Sequence, residues 1–155
     1  MLPAFDSDVA WELGTIIRTC LQRKHNCPAV VYIALANSTQ LFFATSRPGT
    51  LQDKMHWVKR KEAVVLKWGT SSLRMLVLRM LEDGEKLLKA QFGIADLSAY
   101  AFHGGGFPVR VKNVEGIVGV IVVDGLKHWQ GEDNHAVVVD CIQEYLAINS
   151  PKYLK

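Results

Sequence analysis

Between residues 6 and 25, Val9, Leu13, Ile16, Ile17, Cys20 and Leu21 recur three and four positions apart, the spacing that gathers side chains on one face of an α-helix. Asp6, Ser7 and Asp8 precede that face as cap candidates and place negative charge at the positive end of the helix dipole. Cys27-Pro28 ends the helix, and the pattern then changes. Residues 29–36 and 40–46 are rich in β-branched and aromatic side chains and are separated by Asn37-Ser38-Thr39, which predicts two strands in an antiparallel hairpin.

After the turn Arg47-Pro48-Gly49-Thr50, helical spacing returns from Asp53. Trp57, Val64, Val65 and Trp68 share one face, with Lys59, Arg60 and Lys61 mostly beside it. Gly69 breaks the run, Ser71 or Ser72 can cap the next helix, and Leu73, Leu76, Val77, Met80 and Leu81 form a clean stripe that ends near Gly84. Residues 86–92 can add a further helical turn. Residues 107–112 alternate as a half-exposed strand. Residues 117–123 are continuously apolar and β-branched, as a central strand covered on both faces would be, with Gly119 marking a bulge or close approach. The last helix starts near Asp133 and buries Val137, Val138, Cys141, Ile142, Tyr145 and Leu146.

Strands grouped in hairpins, with helices before, between and after them, predict an α+β fold built on an antiparallel sheet. One domain spanning residues 1–155 accommodates it. With 49% hydrophobic and 21% charged residues, the chain is neither disordered nor fibrous. Three cysteines, Cys20, Cys27 and Cys141, form no C-x-x-C pair, so a reducing compartment is expected. The apolar runs fall far short of a bilayer span. The expectation is a cytoplasmic protein without membrane insertion.

The net charge of +3 hides an uneven distribution. Lys54, Lys59, Arg60, Lys61, Lys67, Arg74 and Arg79 lie close together in sequence with Glu62 as the one acid among them. No nucleic-acid-binding motif accompanies that charge, so nucleic acid is not an expected partner. A solvated helix face remains one reading. The others are pairing with acids of a neighbouring subunit, and carboxylate binding by Arg60 or Arg74.

Gly104, Gly105 and Gly106 follow His103 and precede Phe107-Pro108. Three ordered glycines need a use, such as positive φ, a tight bend, or amides facing an anion. The H-G-G-G string also occurs as an esterase oxyanion loop, but the companion G-x-S-x-G elbow is missing. A phosphate cradle would need a helix after the loop, whereas a strand follows. Of the five histidines, His25, His56, His103, His128 and His135, no two stand at i, i+4. His128 and His135, with Glu132 and Asp133 nearby, could hold a metal, although a solvated helix start explains that stretch better. C-x-x-C-H is absent, which excludes covalent c-type haem. Non-covalent haem needs only an axial ligand, for which His103 and His56 are candidates.

Taken together, Leu13-Gly14-x-x-Ile17, Pro48-Gly49-Thr50, Trp57-x-x-Arg60-Lys61 with Val64-Val65, Ser71-Ser72, Tyr100-Ala101-x-His103-Gly104-Gly105 with Phe107-Pro108-Val109, Gly119, Gly125-Leu126, and His135 followed by Val137-Val138 resemble the uncharacterised branch of the haem-degrading-domain superfamily. The resemblance runs in order along nearly the whole chain. It implies a profilin-like sandwich, a five-stranded antiparallel sheet with helices on both faces, assembled as a homo-oligomer. The fifth strand would fall around residues 100–103. It further implies a small anionic ligand, with haem as the suggested cofactor and haem degradation as a narrower activity. The site would comprise His103, Gly104, Gly105 and Gly106, with Arg60 and Lys61 meeting carboxylates and Trp57 and His135 nearby. A non-enzymatic adaptor, whose oligomer binds protein partners such as chaperone or targeting factors, is the alternative. The branch pattern differs here at Lys54, Asp124 and Asn134, which stand where relatives carry Asn, Ser and Asp; a neutral Asn134 can orient His135 but does not stabilise it as a cation.

Overall fold

A computed structural model describes residues 1–94, 96–126 and 131–153. Helix α1 covers Ser7–Lys24, and Asp6 caps it by accepting a 2.9 Å hydrogen bond from the Val9 amide, a contact worth about 1 kcal/mol. Its inward face carries Val9, Leu13, Ile17 and Leu21. Strands β1 (Val30–Leu35) and β2 (Gln40–Thr45) form the expected antiparallel hairpin. Ser38 in its turn takes a φ of 65°. Two long side chains of α1 reach across to the far end of β2: Arg18 Nε donates to the Thr45 carbonyl at 2.8 Å and Gln22 Nε2 to that of Ser46 at 3.0 Å.

Helices α2 (Lys54–Trp68), α3 (Ser72–Met80) and α4 (Gly84–Phe92) follow. Helix α2 stops at Gly69, whose φ of 63° suits a left-handed cap. Ser71 caps α3, its hydroxyl accepting from the Arg74 amide at 3.3 Å. Strands β3 (Gly106–Val109) and β4 (Gly119–Asp124) and helix α5 (Glu132–Tyr153) complete the fold.

The sheet has the order β2-β1-β4-β3 and is antiparallel throughout, with Val30 opposite Asp124 and Phe107 opposite Ile121. Alternation along β1 and β4 supplies both faces. Val31, Ile33, Ile121 and Val123 pack with α1 and α5, while Val30, Tyr32, Ala34, Val120 and Val122 pack under Val58 and Val65 of α2. Helices therefore cover both faces of the sheet, and β4 at 119–124 is the doubly buried strand expected at 117–123, with residues 117 and 118 half-buried before it begins. A third apolar cluster, around Val64, Met75, Leu88 and Phe102, joins the helical layer to the segment before β3.

Among the described residues the sheet has four strands rather than five. Residues 100–103 form no strand because their backbone groups are committed to α2: the Ala101 amide donates to the Arg60 carbonyl at 3.1 Å, and the Tyr100 carbonyl accepts from Arg60 Nη2 at 3.2 Å. One parallel bridge between Leu2 and Val111 continues the sheet beyond β3. The α3 stripe also differs from a core face. Met75 is buried, whereas Val77, Met80 and Leu81 are 56%, 62% and 58% exposed. Among the described residues no helix is long and apolar enough to cross a membrane.

Candidate functional site

Lys61 lies between Val58 and Val65 on the inward face of α2, a position where helical spacing would place a core residue. Its side chain is 1% exposed. A buried ammonium has to be paired, and Lys61 Nζ donates to Asp124 Oδ1 at 2.6 Å, to the Gly104 carbonyl at 2.9 Å and to the Val123 carbonyl at 3.4 Å. Lys54 Nζ approaches the second carboxylate oxygen at 3.5 Å. Burial holds the Lys61 amine below its ordinary value, against the opposing pull of Asp124.

The three glycines make this crossing possible. Gly105 takes a φ of 123° and accepts from the Val123 amide at 3.0 Å; a Cβ there would strike the Val123 carbonyl and lie 3.2 Å from Lys61 Nζ. A Cβ on Gly104 would strike the Gly131 carbonyl, just before α5. The Gly106 amide donates to the buried Ser72 hydroxyl at 2.9 Å. The glycines thus pass a backbone between β4, α2 and the start of α5 where no side chain fits.

This crossing fixes His103 beside Trp57, ring centroids 5.6 Å apart and nearly perpendicular. The Arg60 guanidinium covers the Trp57 ring at 4.7 Å. His103 Nδ1 is buried without a hydrogen-bond partner, as is Arg60 Nε. Burial, then the Lys61 charge, holds the His103 imidazole below its ordinary value of 6.5, so it is neutral and able to ligate at neutral pH.

The structure brings together Trp57, Arg60, Lys61, His103, Gly104, Gly105 and Gly106. It places His135 elsewhere: its ring packs against Phe107 at 5.8 Å, its Nδ1 is also buried without a partner, and burial lowers its pKa too. Two expectations change in detail. Lys61 is occupied inside the chain rather than presented to a ligand carboxylate, and Arg60 meets a carbonyl and an indole instead of a carboxylate. His56 is exposed. His128 lies outside the described residues, among which no group of three or more His, Cys, Asp and Glu could hold a metal.

Asp124, Lys54 and Ser72 complete the crossing without having been singled out for it. The available signal was Lys61 itself. A lysine three positions after Val58 and four before Val65 requires a buried acid, and Asp124 directly ends the buried apolar run. Most of the basic segment is similarly partnered: Lys59 with Glu62 at 3.3 Å and Arg79 with Glu85 at 3.2 Å.

Known proteins share this architecture. A UPF0303 protein of Zymomonas mobilis is 36% identical over 151 residues, which is 97% of this chain and 76% of that protein. The crystal structure of the Ybr137w protein superposes with a TM-score of 0.82 at 25% identity, covering 94% of this chain and 81% of that one. The crystal structure of a PduOC:heme complex gives 0.65 at 16% identity, over 89% and 94% of the two chains. Residues 5–143 match the family described as haem degrading protein HbpS-like. With that match across most of its length and a UPF0303 relative at this identity, the chain belongs to the HbpS-like family.

Proposed function

We propose that this protein binds a small anionic ligand of the haem class at the Trp57, Arg60 and His103 cluster, and that it does so as a homo-oligomer. The observation that carries the reading is His103, a half-buried imidazole held neutral beside the Trp57 ring. The family description names haem, and a fold relative was crystallised with heme.

The residues suit the group. His103 supplies an imidazole nitrogen, Trp57 an apolar face, and Arg60 a cation for a propionate. Lys61 and Asp124 act behind them by holding Gly104 and thus the direction of His103. Haem, if bound, would supply an iron that the His103 imidazole could ligate. Degradation is a narrower form of this reading and needs an external electron source. Titrating haem into the purified chain should give a saturable Soret shift that is lost in His103→Ala. A shift unchanged by His103→Ala, His56→Ala and His135→Ala would overturn the assignment.

A second reading, an oligomeric interaction protein without a small ligand, is favoured by the exposed apolar residues Val77 and Met80 on α3. Its occupant is a second copy of this chain. Sedimentation of Val77→Ser/Met80→Ser should then show loss of self-association, and an unchanged oligomer would count against α3 as the contact.

A further inference from the structure

Of the three cysteines, two meet inside the fold. Cys20 on α1 and Cys141 on α5 both belong to the apolar cluster between those helices and the sheet, and all three thiols are free. Helices α1 and α5 pack directly on one another. Polar neighbours at the edge of that packing show its register. A groove of about 290 Å³ brings Cys20 together with Lys24, one turn further along α1, and with Glu144, one turn beyond Cys141 on α5. Cys20 therefore faces the turn of α5 that carries Cys141, and the two thiols hydrogen-bond to each other. Cys27 lies outside the pair, half-buried beyond the end of α1.

The two sulfurs differ in access. Cys141 is wholly enclosed, whereas Cys20 is 9% exposed and forms part of the groove wall. Thr15, Thr19, Arg23, Lys24 and Glu144 make that groove polar, so a polar oxidant the size of water reaches Cys20 first. Burial, then the neighbouring Cys20, pushes the Cys141 thiol well up. Cys141 thus keeps its proton while Cys20 reacts. In a reducing compartment a thiol pair of this kind closes transiently, in response to oxidant, rather than as a permanent brace.

We propose that Cys20 and Cys141 are a peroxide-sensitive pair that closes to a disulfide and pins α1 to α5. The oxidant is hydrogen peroxide. The Cys20 sulfur gives up its proton and attacks one peroxide oxygen; the O–O bond breaks, and the departing hydroxide takes that proton and leaves as water. Cys20 is then a sulfenic acid. The Cys141 sulfur attacks the Cys20 sulfur, the S–O bond breaks, and the hydroxide released takes the Cys141 proton as a second water. Two thiols lose two electrons and two protons, and one peroxide becomes two waters. An external thiol reopens the bond by exchange. The pair uses nothing of the His103 cluster, so it is independent of the haem reading.

The test is intact-mass analysis and peptide mapping of the full chain, reduced, exposed to hydrogen peroxide, and then alkylated in urea. The native chain should lose two hydrogens, take up one alkyl group at Cys27, and yield a peptide joining Cys20 to Cys141 that dithiothreitol separates. Cys27→Ala should close the pair as fast as the native chain. In Cys141→Ala the reaction should stop at a Cys20 sulfenic acid that dimedone traps, and Cys20→Ala should leave the Cys141 thiol unoxidised. The native measurement involves no substitution, so a variant that misfolds does not blunt the test. A native chain that keeps three alkylatable thiols, that oxidises Cys20 without a crosslink, or that bonds through Cys27 would overturn the proposal. Oxidation of Cys141 in folded Cys20→Ala as fast as in the native chain would do the same.

Discussion

The glycine crossing and the α3–α4 layer use polar groups in opposite ways. At the crossing, the Lys61 ammonium meets a carboxylate and two carbonyls, and the Gly105 and Gly106 backbones pair with β4 and Ser72. Around the α3–α4 layer, Trp68 Nε1 and His135 Nδ1 are buried without hydrogen bonds, and Leu78 and Leu81 face outward. A region that satisfies its own polar atoms is built to hold a shape; one that leaves polar atoms unpaired and apolar side chains exposed is held less tightly. His103 stands at the boundary, positioned by the first region and unpaired at Nδ1 like the second.

Substitutions should separate the two regions sharply. Gly105→Ala adds a Cβ against the Val123 carbonyl at a positive φ and should cost about 4 kcal/mol or more in urea unfolding; a loss below about 1 kcal/mol would show that the crossing yields. Lys61→Met strands the buried Asp124 carboxylate with only Lys54 nearby and should cost about 3 kcal/mol. Adding Asp124→Leu should recover at least half of that, because a buried pair is destabilising mainly when broken.

A smaller effect follows from the two imidazoles. Both are held below 6.5 in the folded chain, so on acidification the unfolded chain takes up the protons first. Their contribution is complete above about pH 6.5 and is lost as pH falls through the lowered folded values. Unfolding followed from pH 7 to 5 should therefore decline less steeply in His103→Gln/His135→Gln than in the native chain. Haem binding through His103 should likewise persist somewhat below pH 6.5 before it is lost. The smallest change is expected on the outer face of α3, where Val77→Ser and Met80→Ser should each stay within about 0.5 kcal/mol in the monomer.

The sequence made the elements easier to read than their partners. The hairpin, the buried run at 117–123 and α5 each carry a periodicity that local geometry must obey. The α3 stripe shows the limit: spacing shows that Val77 and Leu81 share a face, but not whether anything covers it. Residues 100–103 are apolar enough for a strand, yet Tyr100 and Phe102 serve an aromatic cluster with Trp68 at 5.1 and 5.6 Å instead. His103 and the glycines stood out because their composition is unusual. Asp124 stood out only as a departure from the branch pattern, because its role exists through Lys61, a lysine far away in sequence.

The strand order has a kinetic side. The β1–β2 hairpin closes a four-residue connection, residues 36–39, and can form within microseconds. The central pairing of β1 with β4, however, joins Val30 to Asp124 across about ninety residues of intervening chain, so its closure entropy is spent before the contact returns anything. Helices α2, α3 and α4 lie inside that loop. Early helix formation shortens its effective length, which makes Gly69, where α2 ends and the chain turns toward α3, a position whose substitution should slow refolding more than it speeds unfolding.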